Sequence, residues 1–127
     1  MKFKTLDIEN QYYDPQLSAK LRDMVELGER FTKHQFNKEL TITEIFRTQE
    51  SQDEIYGNNP KYQEKPWKSV HQYWRGIDLR VWDFTEHEIE KLTTFFNCFE
   101  YDPNRPEKKT CLVHNVGAGL HYHLQVI

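Results

Sequence analysis

Residues 69–78 read Ser-Val-His-Gln-Tyr-Trp-Arg-Gly-Ile-Asp, and residues 120–127 read Leu-His-Tyr-His-Leu-Gln-Val-Ile. The fold turns on these two stretches. The second consists mostly of β-branched, aromatic and apolar residues, which favour a strand. Successive strand side chains point to opposite faces, so His121, His123 and Gln125 share one face and Tyr122, Leu124 and Val126 the other. Gly76–Trp82 alternates in the same way, with Ile77, Leu79 and Val81 inward and Asp78, Arg80 and Trp82 outward. Side by side, the two strands bring a carboxylate close to a pair of imidazoles. We read His71, Asp78 and His123 as the ligands of one Zn2+ ion, with His121 beside them as the catalytic imidazole. Three protein ligands plus water is the arrangement that lets zinc do chemistry; a structural site closes with a fourth ligand, usually Cys. Neither stretch contains a Cys.

Each part of this pattern is common alone. A histidine on a strand face is ordinarily polar surface, and neither His-x-His nor a His seven positions before an Asp is distinctive. The argument rests on their conjunction on two predicted strands with helical segments between. In that order, Ser69-x-His71 with Asp78 and then His121-x-His123 resembles the signature of the LAS-type zinc peptidases. That group holds the D-Ala-D-Ala carboxypeptidases, the L-alanyl-D-glutamate endopeptidases of phage lysins, the penicillin-insensitive murein endopeptidases and the hedgehog signalling domain. The resemblance implies that His71, Asp78 and His123 bind the zinc. Ile42–Thr48 resembles the strand that carries the family's arginine, which implies a substrate contact for Arg47; Gln49 is a further candidate contact. Ser69 either hydrogen-bonds locally or helps to hold the ligand loop. The resemblance runs from Ile42 to Val126.

The chain departs from the family at several places. Many carboxypeptidases and endopeptidases of the group carry Gly three positions after the first His and Ala two further on, where this chain has Trp74 and Gly76. The general base that many members carry three residues before the last ligand falls on Leu120, and the hedgehog acid falls on Gly117. His121 matches the base of the murein endopeptidase branch, with Glu64 and Glu50 as the next candidates. His114 supplies a fourth ligand only if Leu112 and Val116 face the site with it.

Composition bounds the rest. The chain has 127 residues, which suits a single domain with one core. A formal net charge of −3 gives no electrostatic footprint for nucleic acid. No apolar run approaches the length needed to span a bilayer, and the acidic N-terminal segment does not read as a signal peptide. The expected location is therefore cytoplasmic, which fits equally a phage-type lysin released by a holin. Two cysteines, Cys98 and Cys111, are too few for a disulfide scaffold, and we expect reduced, partly buried thiols.

Along the chain, Asp14-Pro15 reads as a helix start, followed by an apolar stripe of Leu17, Leu21, Met24, Gly28 and Phe31. Gly28 allows close approach to the sheet in this reading. Leu40–Phe46 alternates as a strand. Thr48 caps a short helix through Tyr56, ended by Gly57. Asn58–Lys68 reads as a loop beside the site. Thr85 with Glu88 forms a capping-box pattern before a helix bearing Ile89, Leu92, Phe95, Phe96 and Phe99. Asp102–Pro106 is a turn. Thr110–Val116 is a strand, and Gly117–Gly119 is a hairpin connection. A Gly pair of this kind is not a phosphate loop, since no helix and no Lys-Ser/Thr pair follow.

The expected architecture is α+β: an antiparallel sheet carrying the metal site, with helices packed on the other face. The expected function is zinc-dependent hydrolysis of a peptide bond, by resemblance one in cell-wall peptidoglycan or another small peptide substrate. The expected protein is a monomer with no nucleic-acid or membrane partner. The alternative is a zinc-bearing binding module of the hedgehog type that lacks catalysis.

Overall fold

The computed structural model describes residues 1–115 and 119–127; the expected connection through Gly117 and the end of the preceding strand at Val116 lie outside the described residues. The chain runs β1 (Lys2–Phe3), α1 (Leu6–Tyr12), α2 (Ala19–Phe36), β2 (Thr41–Glu44), α3 (Gln49–Tyr56), α4 (Pro60–Glu64), a 3-10 turn (Val70–Tyr73), β3 (Gly76–Arg80), α5 (Glu86–Asn97), β4 (Cys111–Asn115) and β5 (Leu120–Gln125). The fold is α+β. The strands lie in the order β1-β2-β3-β5-β4. All pairs are antiparallel except β1 with β2, so the sheet is mixed, not purely antiparallel.

The alternating strands bury one face each. Ile77 and Leu79 of β3, and Tyr122 and Leu124 of β5, enter the same core as Leu21, Met24 and Val25 of α2 and Leu92 and Phe96 of α5. Those two helices cover the core face of the sheet. They approach closely at Gly28, where a Cβ would sit 2.4 Å from the Phe96 ring. The partner that requires a glycine is therefore α5, not the sheet. Phe31 stacks on Phe95 along the same contact, with centroids 4.5 Å apart.

Several helix ends differ from the sequence reading. Asp14 does not cap α2. Its carboxylate accepts from the Gln16 amide at 2.8 Å, making a turn, and Ser18 caps the helix four residues later. Arg22 fastens that turn by donating to the carbonyls of Tyr12 and Asp14. The short helix α1 begins at Thr5, whose hydroxyl accepts from the Ile8 amide, with Asp7 and Glu9 favourably placed in the first turn. Within the stretch read as a loop, Asn59 caps α4 and Pro60 occupies its start, the position where proline costs nothing. Thr48 and Thr85 cap α3 and α5 as expected, the latter with a complete capping box. Of the two free thiols, Cys111 is buried and Cys98 is exposed.

Candidate metal centre

The strand register builds one polar face. On β3 and β5, Asp78 pairs with His123 and Arg80 with His121; on β5 and β4, His123 pairs with Leu112 and His121 with His114. Side chains on one face therefore form two transverse rows, one of Asp78, His123 and Leu112 and the next of Arg80, His121 and His114. An irregularity in β2 between Ile42 and Glu44 shifts the pairing so that Ile42 opposes Leu79 and Glu44 opposes Asp78. A bulge of this kind re-aims a side chain. It leaves Ile42 in the core and brings Glu44 beside the site.

His71 comes from outside the sheet. Ser69 caps the 3-10 turn by accepting from the His71 amide at 3.2 Å, while its own amide donates to Gln72 Oε1 at 3.0 Å. Ser69 thus holds the ligand turn and also borders the cavity. The turn ends at Trp74, whose backbone is left-handed at φ 60°. Glycine enters this region without penalty and other residues with strain. Here the Trp74 ring stacks on Phe46, with centroids 4.7 Å apart and planes at 12°. Two residues on, a Cβ on Gly76 would lie 2.7 Å from Val70 and 3.2 Å from the His71 ring. The glycine required for close approach is Gly76, and it lets the imidazole lie against the start of β3.

The donor atoms of His71, Asp78 and His123 all lie within 4.8 Å of one another. Asp78 Oδ1 is 3.1 Å from His71 Nε2 and 2.9 Å from His123 Nδ1. The other nitrogen of each ring is held from outside. His71 Nδ1 lies 2.9 Å from the Ile45 carbonyl, which only accepts, so Nδ1 carries the proton. His123 Nε2 lies 3.3 Å from Gln125 Oε1, and the Gln125 amide is fixed by donating to the Lys109 carbonyl at 2.7 Å. Both inner nitrogens therefore point their remaining valence at Asp78. Neutral imidazoles oriented through an outer acceptor are how histidine is presented to a metal. Ligands of a tetrahedral zinc sit about 3.3 Å apart, given bonds of 2.0–2.1 Å; the two imidazole–carboxylate spacings lie near that distance, and the whole donor set lies within 4.8 Å.

Electrostatics follow from the burial. Desolvation favours the neutral Asp78 carboxyl but is overcome by His71 and His123, and the pKa falls well below the carboxylate range. Desolvation likewise opposes a charged His71, and Asp78 overcomes it, raising the imidazole.

His121 Nδ1 lies 3.2 Å from the Gly119 carbonyl, which leaves Nε2 facing Asp78 Oδ2 at 3.5 Å. The side chains of His121 and His123 are exposed to a similar degree, 15% and 12%. Arg47 is buried beside the cavity, where Nε donates to Glu44 at 2.6 Å and Nη1 to Gln52 at 2.9 Å. Gln49 is not brought to the cavity. Its amide bonds Asp53, Tyr62, Lys68 and Gln72 on the surface. Glu50 and Glu64 are exposed and do not border it either.

The sequence reading gave no place to Glu44 and no role to Gln125, which it put on the face of His123, and it made His114 a fourth ligand only on a condition. Leu112 and His114 do face the site, and the His114 ring lies 4.8 Å from His121 and 5.5 Å from His123. It does not join the converging donor group among the described residues. The cavity above the centre, about 240 Å³, is bordered also by Tyr56 and Trp67 from the α3–α4 side. Among the described residues, no helix is long and apolar enough to cross a membrane. No family model matches the chain, and no curated protein or solved structure matches it either.

Proposed function

We propose that this chain is a zinc-dependent peptidase of the LAS type that hydrolyses a peptide bond in cell-wall peptidoglycan. The observation that carries this reading is the outer anchoring of both imidazoles, to Ile45 and to Gln125, with their inner nitrogens aimed at one carboxylate oxygen. His71, Asp78 and His123 would hold the ion. Zinc bound there supplies Lewis acidity and a water acidic enough to ionise near neutral pH. His121, with Nδ1 committed to a carbonyl, offers Nε2 to take a proton from the attacking water and return it to the leaving amine. Glu44 and Gln52 fix the Arg47 guanidinium at the cavity wall, and its planar fork suits a substrate carboxylate or the developing oxyanion.

The test is metal analysis together with hydrolysis of peptidoglycan fragments, with and without a chelator. Protein from zinc-supplemented growth is expected to hold about one zinc per chain, and its hydrolysis to stop on chelation and return with zinc. Absence of transition metal would overturn the reading. The second reading, a binding module without catalysis, is favoured by Leu120, which is half exposed where many members carry an acid. Zinc without hydrolysis of any wall fragment would select it.

A further inference from the structure

We propose that Phe46 and Trp74 are positioning residues for the metal centre: their stacked rings clamp the turn that carries His71 against residues 45–47 and so fix the aim of the His71 imidazole. This rests on the metal-binding part of the reading above and not on hydrolysis.

His71 is the donor that the sheet does not place. Asp78 and His123 oppose each other on paired strands, and the ladder of β3 and β5 sets their separation. His71 stands on a separate 3-10 turn. Its distance from the other two donors depends on how that turn is seated. The seat is formed by residues 45–47, where the chain leaves β2.

Turn and seat meet at three points. His71 Nδ1 donates to the Ile45 carbonyl at 2.9 Å. The Arg47 amide donates to the His71 carbonyl at 3.3 Å. These two bonds flank Phe46, whose ring lies on the Trp74 ring with centroids 4.7 Å apart and planes at 12°. The bond from Arg47 is longer than is usual for N–H···O, and the single good bond to Ile45 is a pivot about which the imidazole can swing. The broad aromatic contact is what keeps the two backbones at one spacing.

The backbone of Trp74 points the same way. At φ 60° it lies in the left-handed region, which strains a residue that bears a Cβ. Such strain persists only where the surroundings over-determine it. The Trp74 amide donates to the His71 carbonyl at 3.4 Å, and the Trp74 carbonyl accepts from the Ser18 amide at 3.0 Å. Glycine would make both contacts without strain. The ring is what glycine cannot supply. Both rings are half-buried, so neither fills the centre of the core.

The test has two readouts, neither of them hydrolysis. Competition with a chromophoric chelator gives the zinc affinity of the full-length chain. NMR of the zinc-saturated chain follows exchange of the His71 Nδ1–H with water, with the His123 Nε2–H, which Gln125 holds, as internal control. The wild-type His71 proton is expected to exchange slowly, because its side chain is buried and bonded to Ile45. Phe46→Leu keeps an apolar side chain but has no ring to stack. It is expected to weaken zinc binding about 10-fold, the low end for an outer contact of a ligand, and to speed exchange at His71 while leaving His123 unaltered. Phe46→Tyr keeps the stack and should behave as wild type in both readouts. Trp74→Gly relieves the backbone as it removes the ring. Its metal-free melting temperature is expected near that of wild type, with zinc bound about 10-fold more weakly, a split that a purely structural stack would not produce. Unchanged zinc affinity in both Phe46→Leu and Trp74→Gly overturns the inference and leaves the metal reading intact, as does weakened affinity with His71 exchange unaltered. A wild-type chain that holds no zinc overturns the metal reading itself, and the inference falls with it.

Discussion

Gln125→Leu separates a metal centre from a merely polar sheet face. Leucine matches glutamine in size but removes both polar atoms of the side chain. In the native chain the Gln125 Nε2 donates to the Lys109 carbonyl at 2.7 Å and Oε1 accepts from His123 Nε2 at 3.3 Å. The loss to the metal-free fold is small. Lys109 is exposed, so its carbonyl regains water, and a net hydrogen bond is worth about 0.5–1.5 kcal/mol. The lower end of that range applies, and the apo melting temperature should fall by about 2–4 °C. The loss to the metal is larger, because His123 no longer has an acceptor fixing its outer N–H. Outer-shell partners typically change metal affinity by about 10- to 100-fold. The bond here is long and neutral, so we expect about 10- to 30-fold, or roughly 1.4–2 kcal/mol. At a zinc concentration near 1,000 times the native Kd, stabilisation by the ion would drop from about 4.1 to about 2–2.7 kcal/mol. Competition with a chromophoric zinc chelator measures the affinity, and melts with and without zinc measure the linkage. Gln125→Glu keeps an acceptor for His123 and should bind at least as tightly as wild type. Zinc affinity in Gln125→Leu within twofold of wild type would refute the anchoring argument, as would equal losses of stability with and without metal.

Other expectations follow from single contacts. His123→Ala should lose both zinc and hydrolysis, whereas His121→Ala should keep zinc and lose hydrolysis by about 10²- to 10⁴-fold; equal zinc loss in the two variants would make His121 a ligand. Gly76→Ala places a methyl 2.7 Å from Val70 and 3.2 Å from the His71 ring, so it should destabilise the fold by about 1–2 kcal/mol and weaken zinc binding, both readable in the same melts. Gly28→Ala gains about 1 kcal/mol of helix propensity but drives a Cβ to 2.4 Å from the Phe96 ring, and a net loss of about 1–2 kcal/mol in urea unfolding is expected. Burial pushes the Cys111 thiol up to about 12, so mass spectrometry after alkylation near neutral pH should find Cys98 modified and Cys111 intact in the folded protein.

The site was legible in the sequence wherever a local period carried it. Alternation in β3 and β5 put Asp78 and His123 on one face because both strands bury the complementary set, Ile77 and Leu79 with Tyr122 and Leu124. The caps at Thr48 and Thr85 were equally local. What stayed hidden depends on register between distant segments. Glu44 reaches the site only because a bulge breaks the alternation of β2. The partner of Gly28 could not be read from α2 alone, since Phe96 comes from α5. Gln125 shares a face with His123 by simple alternation, but its role requires the Lys109 carbonyl to turn its amide. Asp14-Pro15 misled because Asp satisfies a turn as readily as a helix end, and Ser18 was the better cap. At position 74 nothing in the sequence marked a special backbone, since tryptophan is an unusual residue at positive φ; the backbone there is left-handed and the ring stacks on Phe46.

The strand order has a consequence for synthesis. β4 precedes β5 in the chain, yet β5 lies between β3 and β4. Until residues 120–125 leave the ribosome, β3 therefore presents an open edge and β4 has no sheet partner at all. The nascent chain can assemble β1, β2 and β3 against α2, but it must carry an unpaired edge, the feature most prone to wrong association. β5 then enters as a wedge, closing both neighbours at once. The same event delivers His121 and His123 to a face where Asp78 and His71 already wait. A nascent chain stalled before residue 120 should therefore fail to retain zinc, however well its earlier strands have formed.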